Sequence, residues 1–267
     1  MESRLDPRWM IAYTRRMRTL TWFVGLLTVA VTASAKDLTI HQRTSIGVHG
    51  GTAQDVMEYW SGSKMVSDDS QMRSIVDLDA RTFTMLDKAK KTYFTETFDE
   101  MRSQVERAHQ AMQKQLESLP PQAREMMGNF NPDTPITVKA TGKTEKIAGY
   151  DAKEYALEGG ATSGSVWASD ALLPPVAPEK VEALRKAMNG MPGPGGKLAG
   201  AMVQIKGLPL RTTMMTTMGP QKVASSTEVI EVSEKVPPAD VMTIPDGFTK
   251  TAPPSFEMPG HGGSPHP

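Results

Sequence analysis

The chain has 267 residues, 30 basic against 30 acidic, a 39% hydrophobic and a 6% aromatic share, and no cysteine. A formal charge of zero with no basic run excludes the electrostatic footprint of a nucleic-acid binder. Without a thiol there is no disulfide framework, no cysteine nucleophile, no thiolate metal site and no attachment point for a bacterial lipoprotein anchor.

The first element in chain order is an export signal. Arg15, Arg16 and Arg18 form a positive flank, and Leu20 to Val31 is an apolar run too short to cross a bilayer as a stable helix. Ala33-Ser34-Ala35 supplies the small-x-small pattern of a cleavage site, so the mature chain is expected to begin at Lys36. A retained anchor is the weaker reading because no longer apolar span follows. Glu2 and Asp6 fit poorly in the positive region of a signal, so a start at Met17 reads more naturally than one at Met1, and both give the same mature product. Removing residues 1–35 leaves 25 basic and 28 acidic residues, a net charge of −3. The expected product is soluble, periplasmic and without a transmembrane anchor.

From Asp37 to Glu96 apolar residues alternate in short runs, the period of antiparallel strands. Leu38 and Ile40, Ile46 and Val48, Val56 to Ser61, Gln71 to Leu78, Arg81 to Leu86, and Lys91 to Thr95 are the predicted strands. At Thr97 the period changes. Thr97 and Glu100 have capping-box spacing, and Phe98, Met101, Val105, Ala108, Met112, Leu116 and Leu119 follow on one helical face until Pro120-Pro121. A short helix over 122–127 is predicted next. Strands resume at Ile136 to Ala140, Thr144 to Ile147, Lys153 to Leu157 and Ser165 to Ala168. Pro178 to Met188 reads as a further helix, and Met191 to Gly196 as a flexible connector. Leu208 to Met218 and Lys222 to Ser233 form a final hairpin. About ten strands with segregated helices predict one α+β domain over 36–250, a curved antiparallel sheet covered by helices. The Pro-, Gly- and Ser-rich 251–267 tail is expected to be disordered.

Ile75-Val76-Asp77-Leu78-Asp79, Phe83 to Asp87 and Lys91-Thr92-Tyr93 resemble paired strands of a family of exported bacterial proteins grouped as a domain of unknown function. The stretch Ala140 to Tyr155 is similar to that family's hairpin, Ser165 to Asp170 to the strand after it, and Val241 to Lys250 to its closing element. The resemblance implies an architecture like that of LolA-like periplasmic lipoprotein carriers, an incomplete β-barrel with a helical lid over an apolar cavity.

No catalytic signature is present, and neither enzymatic activity nor a cofactor is expected. Gly142-Lys143-Thr144 is not a phosphate loop, because Thr137 stands where the first glycine is needed. Five histidines show no metal-ligand spacing. Asp68-Asp69 and Asp77/Asp79 fall at predicted turns, where aspartate bonds its own backbone. Nineteen methionines, with Met214, Met215 and Met218 close together, fit either a soft Cu(I) ligand set or, better, an adaptable apolar lining. The leading expectation is a binding protein for lipid or lipoprotein acyl chains, with Trp60, Met101, Met112, Trp167 and Met214 as candidate lining residues. A protein-interaction module of the envelope with a solid core is the alternative, and a Met-rich copper binder the third reading.

Overall fold

The computed structural model describes residues 37–47, 51–118, 134–173, 193–202, 204–218 and 221–253, together with 176, 177, 179, 180, 182 and 184. The predicted export signal, the 122–127 helix, His49 and the tail beyond 253 lie outside these residues.

The first part of the chain is a meander, with tight turns from β2 onward: β1 (Leu38–Gly47), β2 (Gln54–Ser61), β3 (Lys64–Asp68), β4 (Met72–Asp77), β5 (Thr82–Asp87) and β6 (Thr92–Thr97). The turns follow local chemistry. Asp69 Oδ1 accepts from the N–H groups of Gln71 and Met72, and Asp77 Oδ1 from those of Asp79 and Ala80. These are the Asx turns expected of aspartate there. β3 is a strand the alternation did not reveal, since five residues between two turns are too few to establish a period.

At Thr97 the capping box forms as predicted: Glu100 Oε2 accepts from Thr97 N at 2.7 Å, and Thr97 Oγ1 accepts from Glu100 N at 3.1 Å. It starts α1 (Phe98–Ser118). The chain then reaches the far edge of the sheet and builds inward through β7 (Thr137–Ile147), β8 (Tyr150–Gly159) and β9 (Thr162–Ser169). β7 is one strand with an irregularity between Ala140 and Thr144, where Gly142 has φ 80°, and not two strands separated by a turn. The register slip lets the strand absorb the extra residues without leaving the ladder.

Glu179, Lys180, Glu182 and Leu184 are helical, as predicted for that stretch. The expected Met191–Gly196 connector is corrected: a helix, α2 (Gly193–Met202), begins inside it. Pro194 suits a first turn, and burial of Leu198, Ala199, Ala201 and Met202 offsets the glycines' poor propensity. β10 (Leu208–Met218) and β11 (Gln221–Ser233) form the expected hairpin and return to β1.

The result is one twelve-stranded sheet in the order β12-β6-β5-β4-β3-β2-β1-β11-β10-β9-β8-β7, curved and unclosed, because β7 and β12 do not pair with each other. β12 (Thr249–Lys250) is added in parallel to the β6 edge. The architecture is sheet-dominated. Helices cover only part of the inner face, and a C-terminal strap containing a 3-10 helix (Ala239–Met242) covers part of the outer face. There Met242 and Phe248 pack on Val66, Ile75 and Leu86. Arg73 Nη1 donates to Asp240 O at 3.1 Å, and Thr249 N and Thr251 N donate to Lys91 O and Tyr93 O. Thr251 is therefore tied to the sheet. Among the described residues no helix is long and apolar enough to cross a membrane.

Candidate functional site

The strand registers lay the inner face out in rows. Leu38, Trp60, Met65, Val76 and Phe83 stand side by side across β1 to β5, all buried, and Glu96 of β6 ends the row. The next row is Ile40, Glu58, Ser67, Ser74, Met85 and Phe94. Three polar residues thus stand consecutively inside an otherwise apolar face. Across the neighbouring strands β2, β1, β11 and β10 a hollow of about 60 Å³ opens, lined by Ile40, Gln42, Thr44, Glu58, Leu210, Met214, Thr227 and Val229 among others. Acyl-chain and drug-sized pockets run to roughly 300–1,000 Å³, so this hollow fits a small polar group or about two waters.

Glu58 is the unusual group in it. Burial pushes its carboxyl up to about 7, against a weaker lowering pull from the Trp60 indole N–H. That pull is a loose one, since the buried Trp60 Nε1 has no hydrogen bond of standard geometry among the described atoms. Arg211 also lines the hollow, but its guanidinium donates to Glu145 at 2.9 and 3.0 Å and to Glu228 at 2.9 Å, and is already balanced twice. The other polar lining is neutral, with Thr44 and Thr227 hydroxyls paired at 3.0 Å. A second inward acid, Glu96, is raised by burial, and accepts from Gln104 Nε2 of α1 at 2.6 Å. Strongly perturbed acids in a concavity mark functional candidates.

Of the five sequence-derived candidates, Trp60, Met101 and Trp167 meet at the main core and Met214 stands in a second one. Met214 lines the hollow. Trp60 lies two residues from Glu58 on the same strand face and is 1% exposed, a core residue beside the hollow. Met101 packs in the main core under the start of α1, and Trp167 flanks that core part-buried. Met112 falls on α1, but its side chain is outside the described set. Glu58 itself was missed, although its signal was present: it shares strand parity with Val56 and Trp60 and so had to face inward.

Other clusters are structural. Met214 is buried beside Met202 while Met215 is 38% exposed, because adjacent strand residues face opposite ways. His41 bonds Asp55 at 3.2 Å on the outer face. Among the described residues no three of His, Cys, Asp or Glu converge on a metal position. Burial alone would raise the Asp68 carboxyl, but hydrogen bonds from Arg73 at 2.9 Å and from Lys88 hold it below the ordinary carboxylate range. This trio anchors the strap.

An open antiparallel sheet with helices over part of its inner face, and a lone acid in a hollow of that face, defines a sheet-dominated α+β protein without assembled catalytic machinery among the described residues. The chain belongs to the DUF4412 family, a domain of unknown function, which it matches over residues 23–248. The membership agrees with the resemblance read from Ile75–Asp79 and Ala140–Tyr155. No curated protein matches the chain. Similar solved structures include PNGF-II (13% identity, TM-score 0.38, 81% of this chain and 31% of that one). They also include MucB (7%, 0.33, 86% and 62%) and a LolA superfamily protein from Nitrosomonas europaea (8%, 0.30, 85% and 96%). The chain spans about a third of the PNGF-II length, and no role is transferred from likenesses this distant.

Proposed function

We propose that the protein is a non-enzymatic binding protein of the bacterial periplasm that takes an apolar or amphiphilic ligand, a lipid or lipoprotein acyl chain, against the inner face of its sheet. The observation that carries this reading is the way α1 is held. Phe98 and Met101 are buried and Val105 packs on the core, while Glu106, Arg107, Gln110, Ala111 and Lys114 in the following turns are exposed. α1 follows β6 directly and takes no part in the strand ladders, so it can swing about its first turn without breaking the sheet. Beneath it lie Met65, Phe83, Met85 and Phe94, and methionine repacks around ligands of irregular shape. The existing hollow is too small for an acyl chain, so uptake requires that swing. The export signal over Met17 to Ala35 supports the compartment.

Native mass spectrometry of protein released gently from the periplasm tests this. A population carrying an extra lipid-sized mass is the expected result. A single bare mass, from cells whose lipids are intact, would refute it.

The nearly filled interior favours a second reading, an envelope interaction module whose sheet is solid core. A pull-down with and without residues 251–267 separates the two, since a protein partner lost with the tail points to the tail as the functional element.

A further inference from the structure

We infer that the hollow around Glu58 is a head-group site for a primary ammonium carried on an apolar chain. This rests on the binding-protein reading above and names the ligand class for it. Glu58 has no ion-pair partner among the described residues, and the one group that lowers its carboxyl is the loosely placed Trp60 indole. A carboxylate withdrawn from water and left uncompensated is costly, and an incoming cation relieves that cost. Among the described residues the one cation lining the hollow, Arg211, is already engaged by Glu145 and Glu228.

The remaining lining matches the rest of such a ligand. An ammonium has three donors and no acceptor. Glu58, the Gln42 amide oxygen and the hydroxyls of Thr44 and Thr227 are acceptors in the same hollow. Ile40, Leu210, Met214 and Val229 provide the apolar surface that the first methylenes of a chain require. A primary ammonium can pair its three N–H donors with several of the hollow's acceptors at once, whereas a trimethylated head has no donor to offer them. A carboxylate head is repelled by Glu58, and an alcohol leaves its charge unmatched.

Calorimetric titration of the wild-type chain at pH 8 with decylammonium, decanol, decanoate and decyltrimethylammonium, each below its micelle concentration, tests the assignment. Decylammonium is expected to bind at least tenfold tighter than each of the others, and methylammonium at least a hundredfold more weakly than decylammonium. Glu58→Gln is expected to bind decanol as the wild type does and to lose the tenfold ammonium preference. Equal affinity for all heads, a preference that survives in Glu58→Gln, or methylammonium binding as tightly as decylammonium overturns the head-group site and leaves the binding-protein reading standing. Failure of every decyl chain to bind overturns both. The head-group series on wild-type protein stands alone if Glu58→Gln does not fold.

Discussion

Glu58 shows how a single residue acquires character from its row. Its strand alternates inward Val56, Glu58 and Trp60 with outward Met57 and Tyr59, so the carboxyl enters the concave face because the pleat leaves it no other direction. The native carboxyl keeps its proton up to about pH 7, whereas an unfolded chain releases it near 4.5. Between those values the native state binds more protons, so this group's contribution to stability falls as pH rises through the window and is fully present below it. Relative to wild type, Glu58→Gln should therefore gain stability from pH 4.5 to 7, by about 2 to 3 kcal/mol at most. Urea midpoints of both proteins across that range measure it, and parallel curves would show that Glu58 titrates normally. Glu58 was readable from parity alone. What parity could not supply is the absence of a cation opposite it, because which side chains share the hollow depends on β10 and β11 returning beside β1.

Among the elements, α1 was the most legible, since its capping box and apolar spacing are local properties of Thr97 to Leu116. Removing the cap by Thr97→Ala should cost about 1 kcal/mol in a urea titration. An unchanged midpoint would mean that α1 is held by contacts other than its first turn. α2 was illegible because its glycines and prolines read as a connector, and the residues that overrule them bury against Leu157 and Val166 of distant strands. The helix predicted over Pro178 to Met188 was legible from its terminal residues, and the structure adds that Leu184 is buried. Two misreadings in the sheet have one cause. β3 is too short to show a period, and the Thr141 to Lys143 irregularity of β7 looks like a turn unless its partner strand is known.

At the scale of the whole molecule, the β1–β11 pairing holds the architecture together. It joins a meander from the first part of the chain to one from the last, with pairs such as Thr44 with Thr227 separated by 183 residues. Neither meander closes the sheet, and the strap from β11 to β12 instead seals the outer face through Met242 and Phe248. Export belongs to this scale as well. Expression in a bacterial host with mass analysis of the released protein should give a mature N-terminus at Lys36. A different terminus, or retention in the membrane fraction, would refute the cleavage site and with it the proposed compartment.

The sequence by itself determined the strand and helix periods, the Asx turns, the capping box and the family, because each depends on residues within a few positions of one another. Only the tertiary structure decided which strands are neighbours, that the sheet stays open, that a strap covers its outer face, and that Met214 lines the hollow while Met101 and Trp167 pack at the main core. Those outcomes depend on contacts across more than a hundred residues, where burial of complementary faces outweighs local propensity. A lone inward glutamate among neutral neighbours becomes a distinct chemical feature only there.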